Sequence, residues 1–242
     1  MNYTDFQQLF AKTASLNDLS IADEIKMRQF YDFTMYLAEV NKVTNLTAIR
    51  NVEDMISKHL IDSLLAASHI PQGARVLDLG CGPGFPSIPL AIARPDLTLI
   101  ALDSTAKKIA FVNEAASKIN LNNLNGISGR AEDRAIAKKI GTFDIVTSRA
   151  VARLAVLCEL CIPYVAINGK MLALKASKAD EEAAEAMQGI KLLGGAEPIM
   201  HKLDLHLSEN ISEPRCIVEI KKTKPTPSRY PRAYAAILKS PL

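Results

Sequence analysis

From Ala74 to Lys222 short apolar runs alternate with stretches whose apolar residues recur every three or four positions. The runs lie near 75–79, 97–102, 123–128, 143–148, 169–175, 197–205 and 215–222. This rhythm predicts an α/β fold, a mainly parallel seven-stranded sheet with helices on both faces. Between the runs, Ile109, Val112, Ala116 and Ile119 mark one helix. A second, Asp180 to Leu193, stops at Gly194-Gly195, and its acids Asp180, Glu181, Glu182 and Glu185 read as a solvated face. Leu154, Leu157, Cys158 and Cys161 fall on one helical stripe, so the CxxC spacing reads as packed thiols, and no second pair completes a metal site.

No strand pattern precedes Ala74. Two or three amphipathic helices are expected there as an N-terminal helical cap: one from Ser20 to Val40, capped by Ser20 with Asp23 three residues on, and one from Val52 to Ser68 behind Asn51. The chain thus divides into a cap (1–70), a sheet domain (71–222) and a tail (223–242).

The first apolar run ends in Asp78 and passes into Gly80, Gly82 and Gly84, followed by Phe85 and Pro86. Glycines at alternate positions let the backbone turn and approach a bound molecule closely. The second run ends in Asp103, a strand-end carboxylate suited to ribose hydroxyls, and this spacing alone admits either NAD or S-adenosylmethionine. A dinucleotide loop ordinarily reads GxGxxG, whereas this loop reads Asp-x-Gly-x-Gly-x-Gly, which favours S-adenosylmethionine, with Asp78 near its amino group.

Length and composition narrow the picture further. In 242 residues, 48% of them hydrophobic, there is enough material for one large domain with an appendage. No run approaches the roughly 18 apolar residues of a membrane span, and the polar start has no signal-peptide character. A cytoplasmic, monomeric protein is expected, with no metal. The net charge of +3 is unevenly spread. From Lys221 onward Lys221, Lys222, Lys224, Arg229, Arg232 and Lys239 stand without an acid, and subtracting these six charges leaves −3 on residues 1–220. A basic, proline-punctuated end with Tyr230 and Tyr234 among its charges suits a polyanion such as RNA, and it is expected to be separable from cofactor binding.

The chain resembles the bacterial 16S ribosomal RNA guanine-N7 methyltransferases, the RsmG or glucose-inhibited division protein B family. The likeness runs from Leu37 to the C-terminus through Asn41-x-x-x-Asn45-Leu46-Thr47, Lys58-His59-x-x-Asp62-Ser63, the glycine loop with Phe85-Pro86, Asp103-Ser104, Arg130-Ala131-Glu132, Ser148-Arg149-Ala150, Ala173-Leu174-Lys175 and Tyr230-Pro231-Arg232. Ala235 and Ile237 stand where the family's tail has glycine and proline, and Val40 where an aromatic residue is common.

The resemblance implies a Rossmann-like class I methyltransferase. Its implied reaction is methyl transfer from S-adenosylmethionine to N7 of a guanosine, number 527 in the 530 loop, with 16S RNA or the small-subunit particle as partner. It also implies cofactor contacts at Gly80, Phe85, Ala131, Glu132 and Arg149, to which the loop reading adds Asp78, Gly82, Gly84 and Asp103.

Guanine N7 carries a lone pair and no proton, so attack on a methyl group requires no general base. The residues after the fourth strand, Ser148-Arg149-Ala150, fit that absence. Arg149 and Lys175 are the candidates for positioning the guanine, and Lys221, Lys222, Lys224, Arg229, Tyr230 and Arg232 for binding RNA. Arg149 is alternatively a holder of the cofactor carboxylate. His59 either lines the cofactor mouth from the cap or is structural, and His69, His201 and His206 show no ligand spacing.

Overall fold

A computed structural model describes residues 1–242. Seven strands form one sheet in the order β3-β2-β1-β4-β5-β7-β6. They are β1 (Arg75–Leu79), β2 (Thr98–Asp103), β3 (Leu124–Ser128), β4 (Phe143–Arg149), β5 (Val165–Lys175), β6 (Ile199–Ser208) and β7 (Ile211–Lys221). The first five pair in parallel, and β7 runs antiparallel to both β5 and β6. All seven expected strands are present, most with ends within a few residues of those expected.

The chain opens with α1 (Tyr3–Leu16) and α2 (Glu24–Thr44). The second begins later than the Ser20 reading places it. The Asp23 carboxylate accepts from the amides of Ile25 and Lys26 at 2.8 and 3.1 Å and so caps the helix itself. Asn51 caps the next helix as expected, accepting from Asp54 N at 2.6 Å. That helix is composite: α3 (Val52–Met55) passes through a π-helical segment (Ile56–Ile61) into α4 (Asp62–Leu64). A π segment rotates the side chains that follow it relative to a continuous α-helix. Here it carries Lys58 and His59.

Between and beyond the strands lie α5 (Ser87–Ala93), α6 (Ala106–Lys118), α7 (Arg134–Ile140), α8 (Leu154–Cys161), α9 (Ala179–Leu192) and α10 (Tyr234–Lys239). The N-terminal helices share a core with α5 and α6. Phe33 of α2 meets Phe85 at 5.6 Å and Phe111 at 6.4 Å between ring centroids. Burying each such ring contributes about 2–3 kcal/mol, and the packing fixes Phe85 at the mouth of the glycine loop. On the opposite face α8, α9 and Ile237 of α10 close a second core. Every residue of α8 is buried, including the free thiols Cys158 and Cys161, whose pKa values burial pushes up.

The acids of α9 are not simply solvated. Glu182 pairs with Lys175 at 2.7 Å and accepts from Leu154 N, Asp180 pairs with Lys202 at 2.8 Å, and Glu185 pairs with Arg153. They tie α9 to β5, β6 and the start of α8.

Candidate active site

The carboxyl ends of β1 to β4 surround a cleft of about 450 Å³, beside the point where the strand order reverses between β1 and β4. Its floor is the turn after β1. Gly80 N and Cys81 N both donate to Leu102 O, at 2.7 and 3.2 Å, which folds the loop onto the end of β2. Gly80 has φ +75°, and a Cβ there would lie 2.3 Å from Val151 Cγ2. Only glycine lets these two segments touch.

Asp103 lies on the cleft wall. Its Oδ2 accepts from Gly82 N at 3.0 Å and its Oδ1 from Thr105 N at 2.8 Å, so each oxygen keeps a lone pair for a ligand hydroxyl. Ala131 and Glu132 line the far side. Glu132 lies 3.5 Å from Arg130, and Tyr164 OH donates to Ala131 O at 2.7 Å, holding that turn against the core.

Asp78 sits beneath the loop with no exposed surface. Its Oδ2 accepts from Ser87 N at 3.0 Å, at the start of α5, while its Oδ1 has no partner. Burial pushes its pKa up to about 7, and the Ser87 amide bond and Arg149 oppose that shift only in part.

Arg149 ends β4 and is held from the cap side. Its Nη1 donates to Lys58 O at 2.9 Å and to Asp62 Oδ2 at 2.8 Å, and its Nη2 lies 3.2 Å from His59 Nδ1. An arginine only donates, so His59 Nδ1 accepts and its Nε2 carries the proton, which is given to Thr47 Oγ1 at 2.8 Å. Burial, reinforced by the nearby guanidinium, lowers the His59 pKa to about 4. The imidazole stacks on Phe85 with centroids 4.3 Å apart, and the Arg149 guanidinium stands 5.3 Å from the same ring. Asn41 organises the connection to Thr47: its amide donates to Thr47 O and Ile49 O and accepts from Thr47 N. The motif residues Asn41, Thr47, Lys58, His59, Asp62, Phe85 and Arg149 therefore form one assembly.

Arg215 of β7, not expected at the site from the sequence, joins this assembly: its Nε donates to Asp62 Oδ1 at 2.7 Å. Nothing local in the sequence signals a partner 153 positions away. Tyr234, expected in a basic tail, is also a wall of the cleft.

Three expected contacts are redirected. Lys175 is not open to a guanine: its Nζ donates to Ala152 O at 2.6 Å and pairs with Glu182. Lys222 is buried and donates to Ile162 O at 2.9 Å and Pro163 O at 3.4 Å, with its pKa lowered to about 8 by desolvation. Arg232 is turned inward to Glu159. Lys221, Lys224 and Arg229 remain exposed, and Arg229 lies over the Tyr230 ring at 5.1 Å.

Outside the cleft, the ligand atoms of His69, His201 and Glu219 come within 4.8 Å of one another, a grouping that their sequence spacing conceals. Glu219 is already paired with Lys170 at 2.7 Å, so a cation there would meet an ammonium.

Sheet order, glycine turn and strand-end acid together define a Rossmann-like class I methyltransferase. The solved structure of precorrin-6y C5,15-methyltransferase from Geobacter metallireducens has a similar fold, with a TM-score of 0.50 at 14% identity over 74% of this chain and 92% of that one. The family model described as rRNA small subunit methyltransferase G, GidB, matches residues 26–210. Curated relatives named ribosomal RNA small subunit methyltransferase G are 42% identical in Lachnoclostridium phytofermentans, over 92% of this chain and 93% of the relative, and 38% identical in Clostridium beijerinckii, over 98% and 99%. The chain belongs to the rRNA small subunit methyltransferase G family, and it is a methyltransferase. No helix is long and apolar enough to cross a membrane.

Proposed function

We propose that this protein transfers a methyl group from S-adenosylmethionine to N7 of a guanine in small-subunit ribosomal RNA, the guanosine at 527 in the 530 loop. The ribosomal RNA substrate follows the names of the relatives. Two features fit the cofactor: a tight glycine turn at Gly80 that brings bare backbone to the floor of the cleft, and the unpartnered Oδ1 of Asp78 beneath it. Asp103 would hold the ribose, Ala131 and Glu132 the adenine, and Gly80 the backbone approach. When bound, S-adenosylmethionine supplies an electrophilic methyl group on a sulfonium.

One observation carries the choice of N7: the arginine at the end of β4 has no available base beside it. His59 accepts on Nδ1 and donates on Nε2, and its pKa of about 4 leaves it a poor proton acceptor at neutral pH. Asp62 is bound by two guanidinium groups. A nucleophile that must lose a proton would find neither of these two groups beside Arg149 ready to take it, whereas guanine N7 requires only alignment and exclusion of water. Arg149 keeps its Nε–H and one Nη2–H without a protein partner, two donors suited to a carboxylate or to the guanine O6 and its neighbouring phosphate.

The test is a methylation assay with isotopically labelled S-adenosylmethionine and small-subunit RNA lacking the modification, followed by nucleoside mass spectrometry. Label in 7-methylguanosine supports the reading, and label in N1-, N2- or O6-methylguanosine or in another base overturns it.

A further inference from the structure

We infer that the end of the chain is part of the donor site: Tyr234 forms a wall of the cofactor cleft on its nucleoside side, positioned there by the Arg232–Glu159 ion pair. This rests on the cleft's being the S-adenosylmethionine site.

The anchor is unusually complete. Glu159 of α8 has no exposed surface. Its Oε1 accepts from both the backbone N and the Nε of Arg232, at 2.9 and 2.8 Å, and its Oε2 accepts from Nη2 at 2.5 Å. A carboxylate so buried is strongly unfavourable unless it is paired and hydrogen-bonded, so this contact dictates where Arg232 sits. The same Nη2 donates to Ser240 O at 3.0 Å, closing the segment over α10. Two apolar contacts seat the rest: Ile237 is fully buried, and Leu242 rests so closely on α9 that a Cβ at Gly189 would lie 2.6 Å from its own.

Two residues beyond this anchor, Tyr234 starts α10 and lines the cleft together with Asp103, Ala131, Glu132 and Leu160. Those are the residues of the ribose and adenine side, at the ends of β2 and β3 and on α8. An aromatic ring there meets the part of a nucleoside cofactor that offers a π face. Tyr230, two residues before the anchor, lines a neighbouring cavity of about 560 Å³ that shares Ala131 and Glu132 with the cleft. The clamp therefore sets the last wall of the donor pocket, and the tail is not a free basic strand appended to it.

The experiment is calorimetric titration of the full chain with S-adenosylhomocysteine, and separately with adenosine. For Tyr234→Ala the affinity for both should fall about tenfold, the scale of a lost aromatic–base contact, while Tyr234→Phe stays within about twofold of the original protein. Arg232→Met should reproduce the loss, and because it also leaves Glu159 unpaired, Tyr234→Ala is the variant that decides, with its melting temperature recorded alongside. Asp103→Ala is titrated as a reference for the cleft itself. Unchanged affinity in Tyr234→Ala with lost affinity in Asp103→Ala overturns the role of Tyr234 and leaves the cofactor site standing; unchanged affinity in both overturns the cofactor site.

Discussion

Nη2 of Arg149 lies 3.2 Å from Nδ1 of His59, and this contact specifies the proton on the histidine and the orientation of the arginine together. His59 is neutral and fixed between Thr47 and Arg149, and in the proposed function it positions the arginine. Replacing it by Ala removes the stacked ring on Phe85 and one of the three acceptors around the guanidinium. Methylation should fall about tenfold in kcat, with the KM for S-adenosylmethionine less affected, as read by steady-state kinetics.

The same histidine has a signature in stability. Its folded pKa of about 4 lies below the ordinary 6.5, so between these values the unfolded chain binds the proton and the native chain does not. Stability contributed by this group is therefore present above pH 6.5 and lost as pH falls toward 4, about 3 kcal/mol in all. Asp78, raised from 3.8 to about 7, acts oppositely, and its contribution is lost as pH rises through 7. Denaturant titrations should show the difference between the original protein and His59→Asn growing from pH 4 to 6.5, and Asp78→Asn gaining relative stability from pH 4 to 7. Parallel pH profiles would contradict both assignments.

Arg149→Lys retains a positive charge beside Asp62 but not the fork that reaches Lys58 O, Asp62 and His59 together. Activity should drop by about a hundredfold while the melting temperature shifts by only a few degrees, because Arg215 still compensates Asp62. Circular dichroism with a transfer assay checks this.

The glycines are not equivalent. Gly80→Ala sets a methyl 2.3 Å from Val151 Cγ2 in addition to the cost of φ +75°, and should cost about 3 kcal/mol and abolish cofactor binding. At Gly82 the Cβ would meet open space and only φ +55° is strained, so the expected cost is about 1 kcal/mol. Thermal melts of the two variants should rank in that order.

The structure changes what the tail predicts. Of its six cations, Lys222 and Arg232 face inward, which leaves four exposed. The slope of log affinity for RNA against log salt should then reach at most roughly three, at ~0.7 per phosphate contact. Neutralising Lys221, Lys224 and Arg229 together should reduce it by about two, as measured by filter binding. Ending the chain after Ile220 should destabilise the fold and weaken cofactor binding, since it removes Ile237 and Tyr234 and leaves Glu159 without its arginine.

Most of the sheet was legible in the sequence because buried parallel strands read as continuous apolar runs, and Gly80 and Asp103 could be placed because they terminate two of them. What was not legible depends on which partners the fold brings together, whether seven positions apart, as Lys175 and Glu182 are, or 73, as Glu159 and Arg232 are. Nothing near Lys175, Lys222 or Arg232 reveals that Glu182, the carbonyls of Ile162 and Pro163, and Glu159 have claimed their charges. The start of α2 was misplaced for a local reason: Ser20 and Asp23 are both good caps, and only the backbone shows which accepts the free amides. Tyr234 looked like part of a basic tail because its neighbours are basic, while the ion pair that turns it inward joins Arg232 to Glu159, 73 positions away.

Mass spectrometry of 7-methylguanosine in the 530 loop of small-subunit RNA from cells lacking this protein decides whether it places the N7 methyl group. The modification should be absent, return with the intact gene and fail to return with Arg149→Lys. Its persistence at the normal level in the deleted strain would mean that another enzyme methylates this guanine.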